Sequence, residues 1–207
     1  MSSVQVSIQH PEHLSRGTLL LKTFLGWIIL IPHFFCLGFM SFAASFVLFI
    51  SWFAVLFTGK FPQSMFNFIV GVEDWGLRVG AYYGLLRDEY PTFGLKSEYP
   101  ASFTVNYPEK LSRGLLLLRT FFGGIYVGIP HGICLLFRVI ALGFVSFIAW
   151  WAILSTGKIP ASMFSFISGT FRWGCRVSAY LMFLTDEYPP FSGKDTGAAA
   201  AGAGAAV

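Results

Sequence analysis

Charged residues are scarce in this 207-residue chain, where aspartate, glutamate, lysine and arginine together make up only 12%. A soluble domain carries about 25% charged residues, because its surface has to be hydrated. Hydrophobic residues reach 55%, and 24 phenylalanines are among them. This balance predicts an integral membrane protein. It excludes a disordered chain, a secreted disulfide-rich module and a cytosolic enzyme.

Several other signatures are missing. The three cysteines, Cys36, Cys134 and Cys175, form no Cys-x-x-Cys pair, so neither a disulfide framework nor a zinc site is predicted. The basic residues are dispersed and the net charge is only +4, which argues against a nucleic-acid partner. We find no catalytic motif and predict no enzyme activity. The first 18 residues lack the apolar core of a cleavable signal peptide, so we expect the first hydrophobic helix to be retained.

An internal repeat is the strongest pattern in the chain. Pro-Glu-His-Leu-Ser-Arg-Gly at 11–17 returns as Pro-Glu-Lys-Leu-Ser-Arg-Gly at 108–114, an offset of 97 residues. Ile-Pro-His at 31–33 returns at 129–131, an offset of 98, so one residue is inserted between the two motifs. Thr-Gly-Lys and Asp-Glu-Tyr-Pro then keep the offset of 98. The chain divides into repeat 1 at 1–97, repeat 2 at 98–193 and an alanine- and glycine-rich tail at 194–207.

These landmarks resemble a family of bacterial membrane proteins that is catalogued only as a domain of unknown function. Its repeat has an Ile-Pro-His step, a tryptophan-rich span ending in Thr-Gly-Lys or Thr-Gly-Arg, and a closing Thr-Asp-x-Tyr-Pro-Pro-Phe. The second copy keeps the closing motif fully, whereas the first has Arg87 and Thr92 in place of Thr185 and Pro190. The resemblance implies a polytopic membrane protein. It brings no activity, substrate or catalytic residue.

Each repeat predicts a short strand followed by two membrane spans. Alternating residues predict strands at 4–8 and 103–107, which we expect to pair with each other or with a partner. The apolar stretch that follows is about twice as long as a ~30 Å hydrocarbon core requires, and proline at Ile-Pro-His favours a break there. The fold class is therefore an all-α membrane protein of two parallel repeats, each with a transmembrane helical hairpin. The predicted spans are 15–31, 33–57, 112–129 and 131–155.

A fourth piece, at 62–87 and 160–185, is long enough to span the membrane but carries a polar stripe. Arg78 lies on this stripe in the first copy, and Arg172 and Arg176 lie on it in the second. Because arginines in the middle of a bilayer are costly, we predict amphipathic helices at the membrane interface. The positive charges fall near one face, which the positive-inside rule assigns to the cytoplasm. We expect a multi-pass protein of the bacterial cytoplasmic (inner) membrane with both termini in the cytoplasm.

Few residues are candidates for chemistry. His33 and His131 occupy equivalent positions after proline, so two imidazoles could meet at a haem iron. The alternative is that each histidine caps its helical turn. Lys22 and Arg119 are equivalent cations that could bind a lipid phosphate or a partner carboxylate, or simply extend to the interface.

The basic stripe offers a further surface. Arg78, Arg172 and Arg176 are predicted to bind anionic lipid head groups or an acidic partner surface. The alternative is a solvated helix face.

The function predicted from these features is a non-catalytic membrane scaffold or accessory subunit that binds lipid and a larger membrane-protein complex. This prediction depends on the lack of polar groups within the apolar segments and on the lack of a site motif. The alternatives are a small transporter or channel, and a haem- or quinone-binding subunit that uses His33 and His131. No resident cofactor or metal is predicted. The expected partners are membrane lipids and other membrane-protein subunits.

Overall fold

The computed structural model describes residues 2–195, and the tail predicted at 194–207 lies outside the described residues from 196 onward. The described part is mostly helical. Two strands are present, β1 at Val4–Ile8 and β2 at Ala101–Val105. The helices are α1 at Arg16–Ile29, α2 at Ile31–Thr58, α3 at Gln63–Tyr83, α4 at Arg113–Gly123, α5 at Ile129–Thr156 and α6 at Ala161–Leu181, with a π-helical turn at Gly124–Gly128 between α4 and α5.

The two strands pair with each other, which was one of the two predicted alternatives, and form an antiparallel two-stranded sheet. Strand β2 begins two residues earlier than the predicted 103–107, so that Val6 lies opposite Phe103. Along β1 the apolar side chains are buried and Gln5 and Ser7 are exposed. One face of the sheet therefore packs against the rest of the protein, and the other face is exposed.

The Thr-Gly-Lys motif ends the long second helix of each repeat. Gly59 and Gly157 adopt positive φ angles of 73° and 71°, a left-handed conformation that other residues adopt at a cost. The carbonyl of Gly59 accepts a hydrogen bond from the amide of Leu111, and that of Gly157 accepts one from Leu14, both at 2.8 Å. Each helix end is thereby joined to the segment that precedes the first helix of the other repeat.

The hairpin that was predicted within each copy is not formed. In the second copy, one helix runs unbroken from Arg113 to Thr156, a length of 44 residues. The residue inserted in this copy is absorbed by the π turn, which holds one more residue per turn than an α-helix and precedes Pro130. In the first copy, Leu30 separates α1 from α2 but keeps right-handed dihedral angles. Proline therefore marks a change in the helix and not a reversal of the chain.

Helices α3 and α6, which were predicted as amphipathic helices at the membrane interface, are each covered by other parts of the chain. Helix α3 packs on α2 with one face and on β2 with another, while α6 contacts α5 and β1. The polar stripe of α3 faces the sheet, because the Asp74 carboxylate accepts the amide of Phe103 at 2.7 Å. These helices form a middle layer between the sheet and the helices α2 and α5. Their polar groups bind backbone groups that would otherwise lack partners.

The two copies meet in reciprocal, antiparallel contacts. Trp150 on α5 donates to Thr23 on α1, and Trp52 on α2 donates to Thr120 on α4, both at 2.8 Å. Helices α3 and α6 also make reciprocal contacts, because Ser178 contacts Glu73 and the equivalent Gly80 lies against Phe171. Because each contact has an equivalent in the other direction, the repeats are related by an approximate two-fold axis.

Two helices are long and apolar enough to cross a membrane by length and composition: α2, and the continuous helix from Arg113 to Thr156. In their most apolar 18-residue stretches, only 17% and 6% of the residues are buried within the chain. The core helix of a soluble protein has the same composition but is mostly buried. The apolar side chains of these two helices are mostly on the outside.

Candidate functional site

The repeated motifs converge on two equivalent aromatic clusters, each with a histidine at its centre. In the first copy, His33 follows Pro32 in the first turn of α2 and is completely buried. The indole N–H of Trp75, on α3, donates to His33 Nδ1 at 2.9 Å. Phe93, from the segment after α3, stacks on the imidazole with ring centroids 3.9 Å apart. The cluster thus joins the start of α2, the middle of α3 and the closing motif.

The second copy repeats this arrangement. Trp173 on α6 donates to Nδ1 of the buried His131 at 3.0 Å, and Phe191 stacks on the ring at 3.9 Å. His131 Nε2 lies 3.1 Å from the hydroxyl of Tyr188. His33 Nε2 is buried without a hydrogen-bond partner in the described structure. The two clusters therefore differ at Nε2, which lies within hydrogen-bond distance of a tyrosine hydroxyl only in the second copy.

This geometry fixes the chemistry of both histidines. Because the indole N–H is a donor only, Nδ1 must accept, and each ring is a neutral imidazole with its proton on Nε2. His33 and His131 are each enclosed by aromatic side chains of their own copy, so the structure does not join the two imidazoles in one site. Among residues 2–195, no group of three or more His, Cys, Asp or Glu side chains is placed to hold a metal ion. The clusters can connect helices, and we assign them that role.

Lys22 and Arg119 are buried at equivalent positions on α1 and α4. The ammonium group of Lys22 donates to the carbonyl of Arg87 and to the Asp88 carboxylate, the latter at 2.9 Å. Arg119 donates to the carbonyl of Thr185 at 2.7 Å and forms an ion pair with Asp186. Each cation thus binds the chain just after α3 or α6.

The carboxylates of Asp88 and Asp186 also bind the backbone at the N-termini of the helices that carry these cations. The Asp88 carboxylate accepts from the backbone amide of Ser15, which caps α1, and Asp186 accepts from that of Ser112, which caps α4. The Ser-Arg-Gly and Asp-Glu-Tyr-Pro motifs are therefore in contact within each copy, although they lie 73 residues apart in the first copy and 74 in the second. A cation, a carboxylate and a helix start form one unit.

The basic stripe also lies inside the protein. Arg78 is fully buried, pairs with Asp74, and donates to the carbonyls of Thr92 and Gly94 at 2.8 and 2.6 Å. Its guanidinium therefore closes the loop between α3 and β2.

The arginines of the second copy have corresponding positions on α6. Arg172 donates to the carbonyls of Val6 and Gly193 at 3.1 and 2.8 Å and pairs with Asp195. Arg176 donates to the carbonyl of Ser192 at 3.2 Å. Both guanidinium groups are buried.

The five cations predicted to bind lipid or a partner thus all have partners within the chain, and their binding role stays a prediction. Sequence reasoning did not connect the two histidines with Trp75, Trp173, Phe93 and Phe191. The signal for these contacts was present, because each of these aromatic residues recurs at the offset of 98.

Comparison with known proteins identifies the repeat unit. A family model described as domain of unknown function DUF4389 matches residues 21–94 and again residues 118–193. The two matches together cover more than half of the chain and coincide with the two copies seen in the structure. No curated protein and no solved structure matches the chain. The chain belongs to the DUF4389 family and contains two tandem copies of its domain.

Proposed function

We propose that this protein is a non-catalytic scaffold or accessory subunit of the bacterial cytoplasmic membrane, which binds lipid and a larger membrane-protein complex. The observation that carries the proposal is the phenylalanine surface, defined as the exposed aromatic side chains of α2 and α5. A typical soluble monomer exposes apolar patches of only a few hundred Å². Here the exposed apolar side chains follow both helices along their whole length.

The phenylalanine surface is ordered. Along α2, three phenylalanine pairs spaced four residues apart make edge-to-face contacts, with ring centroids 4.8 to 5.1 Å apart. Phe42, in the middle pair, is 66% exposed. Such pairs hold large rings in fixed orientations, which suits contact with acyl chains and with the apolar helices of another protein. The pairs are Phe35–Phe39, Phe42–Phe46 and Phe49–Phe53.

The polar groups support a scaffold over a transporter. A transport pathway needs polar side chains that face a shared cavity. Lys22 and Arg119 are instead buried against carboxylates and carbonyls of the chain, and His33 and His131 are enclosed by aromatic rings. The side chains most suited to a pathway are therefore used to hold the fold together.

Two measurements test the proposal. The first is alkaline carbonate extraction of membranes, from which we expect the protein not to be released. The second is native mass spectrometry after gentle solubilisation, combined with a photo-crosslinking residue at Phe42, at Phe144, or at the exposed Gln5 of the sheet as a matched control. We expect lipid and one defined protein partner at Phe42 and Phe144, and neither at Gln5. Release by carbonate would contradict the membrane location, and a lone monomer with lipid alone would contradict the scaffold.

A further inference from the structure

We propose that the protein lies within one leaflet of the membrane, with its long helices in the membrane plane and its β-sheet in the water, and that it does not cross the bilayer. This inference rests on the proposed membrane location and replaces the four crossings predicted from the sequence. The surface that it assigns to the acyl chains of one leaflet is the outer face of α1, α2, α4 and α5.

The first step concerns the direction of the long helices. Arg16, at the start of α1, donates to the carbonyl of Ser155 at the end of α5, at 2.6 Å. Arg113, at the start of α4, donates to the carbonyl of Phe57 at the end of α2, at 2.8 Å. The start of each long helix therefore lies at the end of the other. Because the helix from Arg113 to Thr156 is unbroken, the two long helices run antiparallel over their full length.

The second step locates the two-fold axis. Val6 lies opposite Phe103 at the centre of the sheet, and these residues are equivalent at the offset of 97. In an antiparallel pair, the two-fold axis that exchanges such partners is perpendicular to the sheet. The axis then passes between α3 and α6, where Ser178 donates to Glu73 at 3.1 Å. The sheet, the middle helices and the long helices are therefore stacked along this axis.

The third step compares the two ways of placing this axis in a membrane. If the axis lay in the membrane plane, as crossing of the bilayer by two antiparallel long helices requires, the sheet on that axis would lie at mid-bilayer depth. The exposed side chains of Gln5 and Thr104, and the charged groups of Lys96 and Glu98 in the preceding loop, would then face hydrocarbon. Lipid-exposed loops do not occur at this depth, and charged groups there are costly.

If the axis instead lies along the membrane normal, equivalent residues lie at equal depth. Arg16 and Arg113 are then level with each other, and so are the helix ends that they contact. Arg113 contacts Phe57, which lies at the end of the long helix that begins at Arg16. Both ends of each long helix therefore lie on the same side of the membrane. An unbroken helix with one π turn cannot cross the bilayer and return, so it stays in one leaflet.

The distribution of exposed apolar side chains fits this orientation. Nearly all large exposed apolar residues on helices belong to α1, α2, α4, α5 and the π turn. The exceptions are Tyr83 and Leu181, the last residues of α3 and α6. The strands expose polar side chains on their outer face. The protein thus has one apolar layer and, on the opposite side of the stack, one polar layer, as a protein inserted into a single leaflet requires.

The orientation can be tested with single-cysteine variants in sealed vesicles of either orientation, using a membrane-impermeant maleimide. The background is the chain with its three cysteines changed to alanine. Glu109→Cys and Lys158→Cys report the two ends of the second long helix, and Ile125→Cys reports its middle, which is 62% exposed. We expect positions 109 and 158 to react from the same side, and position 125 to react only with a lipid-soluble maleimide.

Each other outcome overturns the proposal. Reaction of positions 109 and 158 from opposite sides would show a single crossing, and reaction of position 125 from the opposite side would show a hairpin crossing. If the cysteine-free chain fails to fold, trypsin digestion of the unmodified chain in the same vesicles gives the same comparison at Lys60 and Lys158. Carbonate extraction of the same vesicles reports the membrane location separately, so that its failure is distinguishable from the failure of this orientation.

Discussion

Trp75 donates its indole N–H to His33 across 2.9 Å, and Trp173 and His131 repeat this bond at 3.0 Å in the second copy. Both pairs are buried. A tryptophan is suited to this position because it supplies a donor at the end of a large apolar side chain. The bond fixes α3 to the first turn of α2, and its equivalent fixes α6 to the first turn of α5.

Removal of this donor is expected to destabilise the protein. Trp75→Phe leaves His33 Nδ1 buried without a donor, at an expected cost of about 1–3 kcal/mol. The measurement is thermal unfolding in a neutral detergent. Trp27→Phe is the matched control, because Trp27 is 59% exposed on α1 and we expect almost no change there. Equal melting temperatures for the two variants would show that the bond does not stabilise the cluster.

The contributions of Lys22 and Asp88 to the free energy of unfolding are expected to be strongly coupled, because the two side chains form an ion pair. Lys22→Met leaves Asp88 and the Arg87 carbonyl without their cation, and a buried pair that loses one member typically costs about 3–5 kcal/mol. We expect less than this, because Asp88 is partly exposed. The double variant Lys22→Met/Asp88→Asn should lose less stability than the sum of the single variants. Additive losses in this cycle would argue against a direct interaction.

Two glutamates are expected to change stability with pH in opposite directions. Burial raises the pKa of Glu73 above its ordinary value, although the hydroxyl of Ser178 opposes this. Hydrogen bonds from the Arg87 guanidinium hold the pKa of Glu89 below its ordinary value. Glu73 therefore destabilises the folded state as the pH rises through its folded pKa, whereas Glu89 stabilises it above its unfolded pKa and loses this effect in acid.

Melting temperatures of Glu73→Gln and Glu89→Gln between pH 4 and pH 8 check these signs. We expect Glu73→Gln to be more stable than the unmodified chain at the alkaline end, with the difference shrinking in acid. Glu89→Gln should be less stable at the alkaline end and should approach the unmodified chain in acid. The same sign for both variants at pH 8 would contradict the assigned pKa directions.

The glycine that ends α5 is expected to resist substitution. Gly157→Ala forces a side chain into a left-handed conformation with φ of 71°, at an expected cost of about 1–2 kcal/mol. Gly143→Ala is the control within the same helix. A Cβ at Gly143 would meet no atom within 4 Å, and alanine favours the helix by about 0.5–1 kcal/mol. Thermal unfolding should therefore separate the two variants in opposite directions, and a shared direction would contradict the role of the cap.

The repeat carried most of what could be predicted about the fold. Matching landmarks predicted two copies, and alternation predicted the two strands but left open whether they pair with each other or with a partner. The hairpins were mispredicted because proline was taken to break the helix at Ile-Pro-His. In the second copy, the inserted residue forms a π turn instead, and the helix continues through Pro130. The inserted residue was visible in the sequence, but its effect depends on hydrogen bonds that form only in the folded helix.

The candidate cations show a similar limit. A polar stripe on a helix marks a face that needs polar partners, but it does not say whether water, lipid or the chain itself provides them. For Arg78 the partners are carbonyls 14 and 16 residues further along the chain, and for Arg172 one partner is the carbonyl of Val6. Such distant contacts depend on how the sheet and the helices pack on one another in the folded protein.

The sequence by itself determined that this protein is mostly apolar, mostly helical and built from two equivalent units, because composition and periodicity are local properties of the chain. Only the tertiary structure decided that the units meet antiparallel across a two-fold axis. It also decided that the five candidate cations and both central histidines lie inside. These features depend on contacts between distant residues, such as Arg172 and Val6, which are 166 positions apart and which no local pattern specifies.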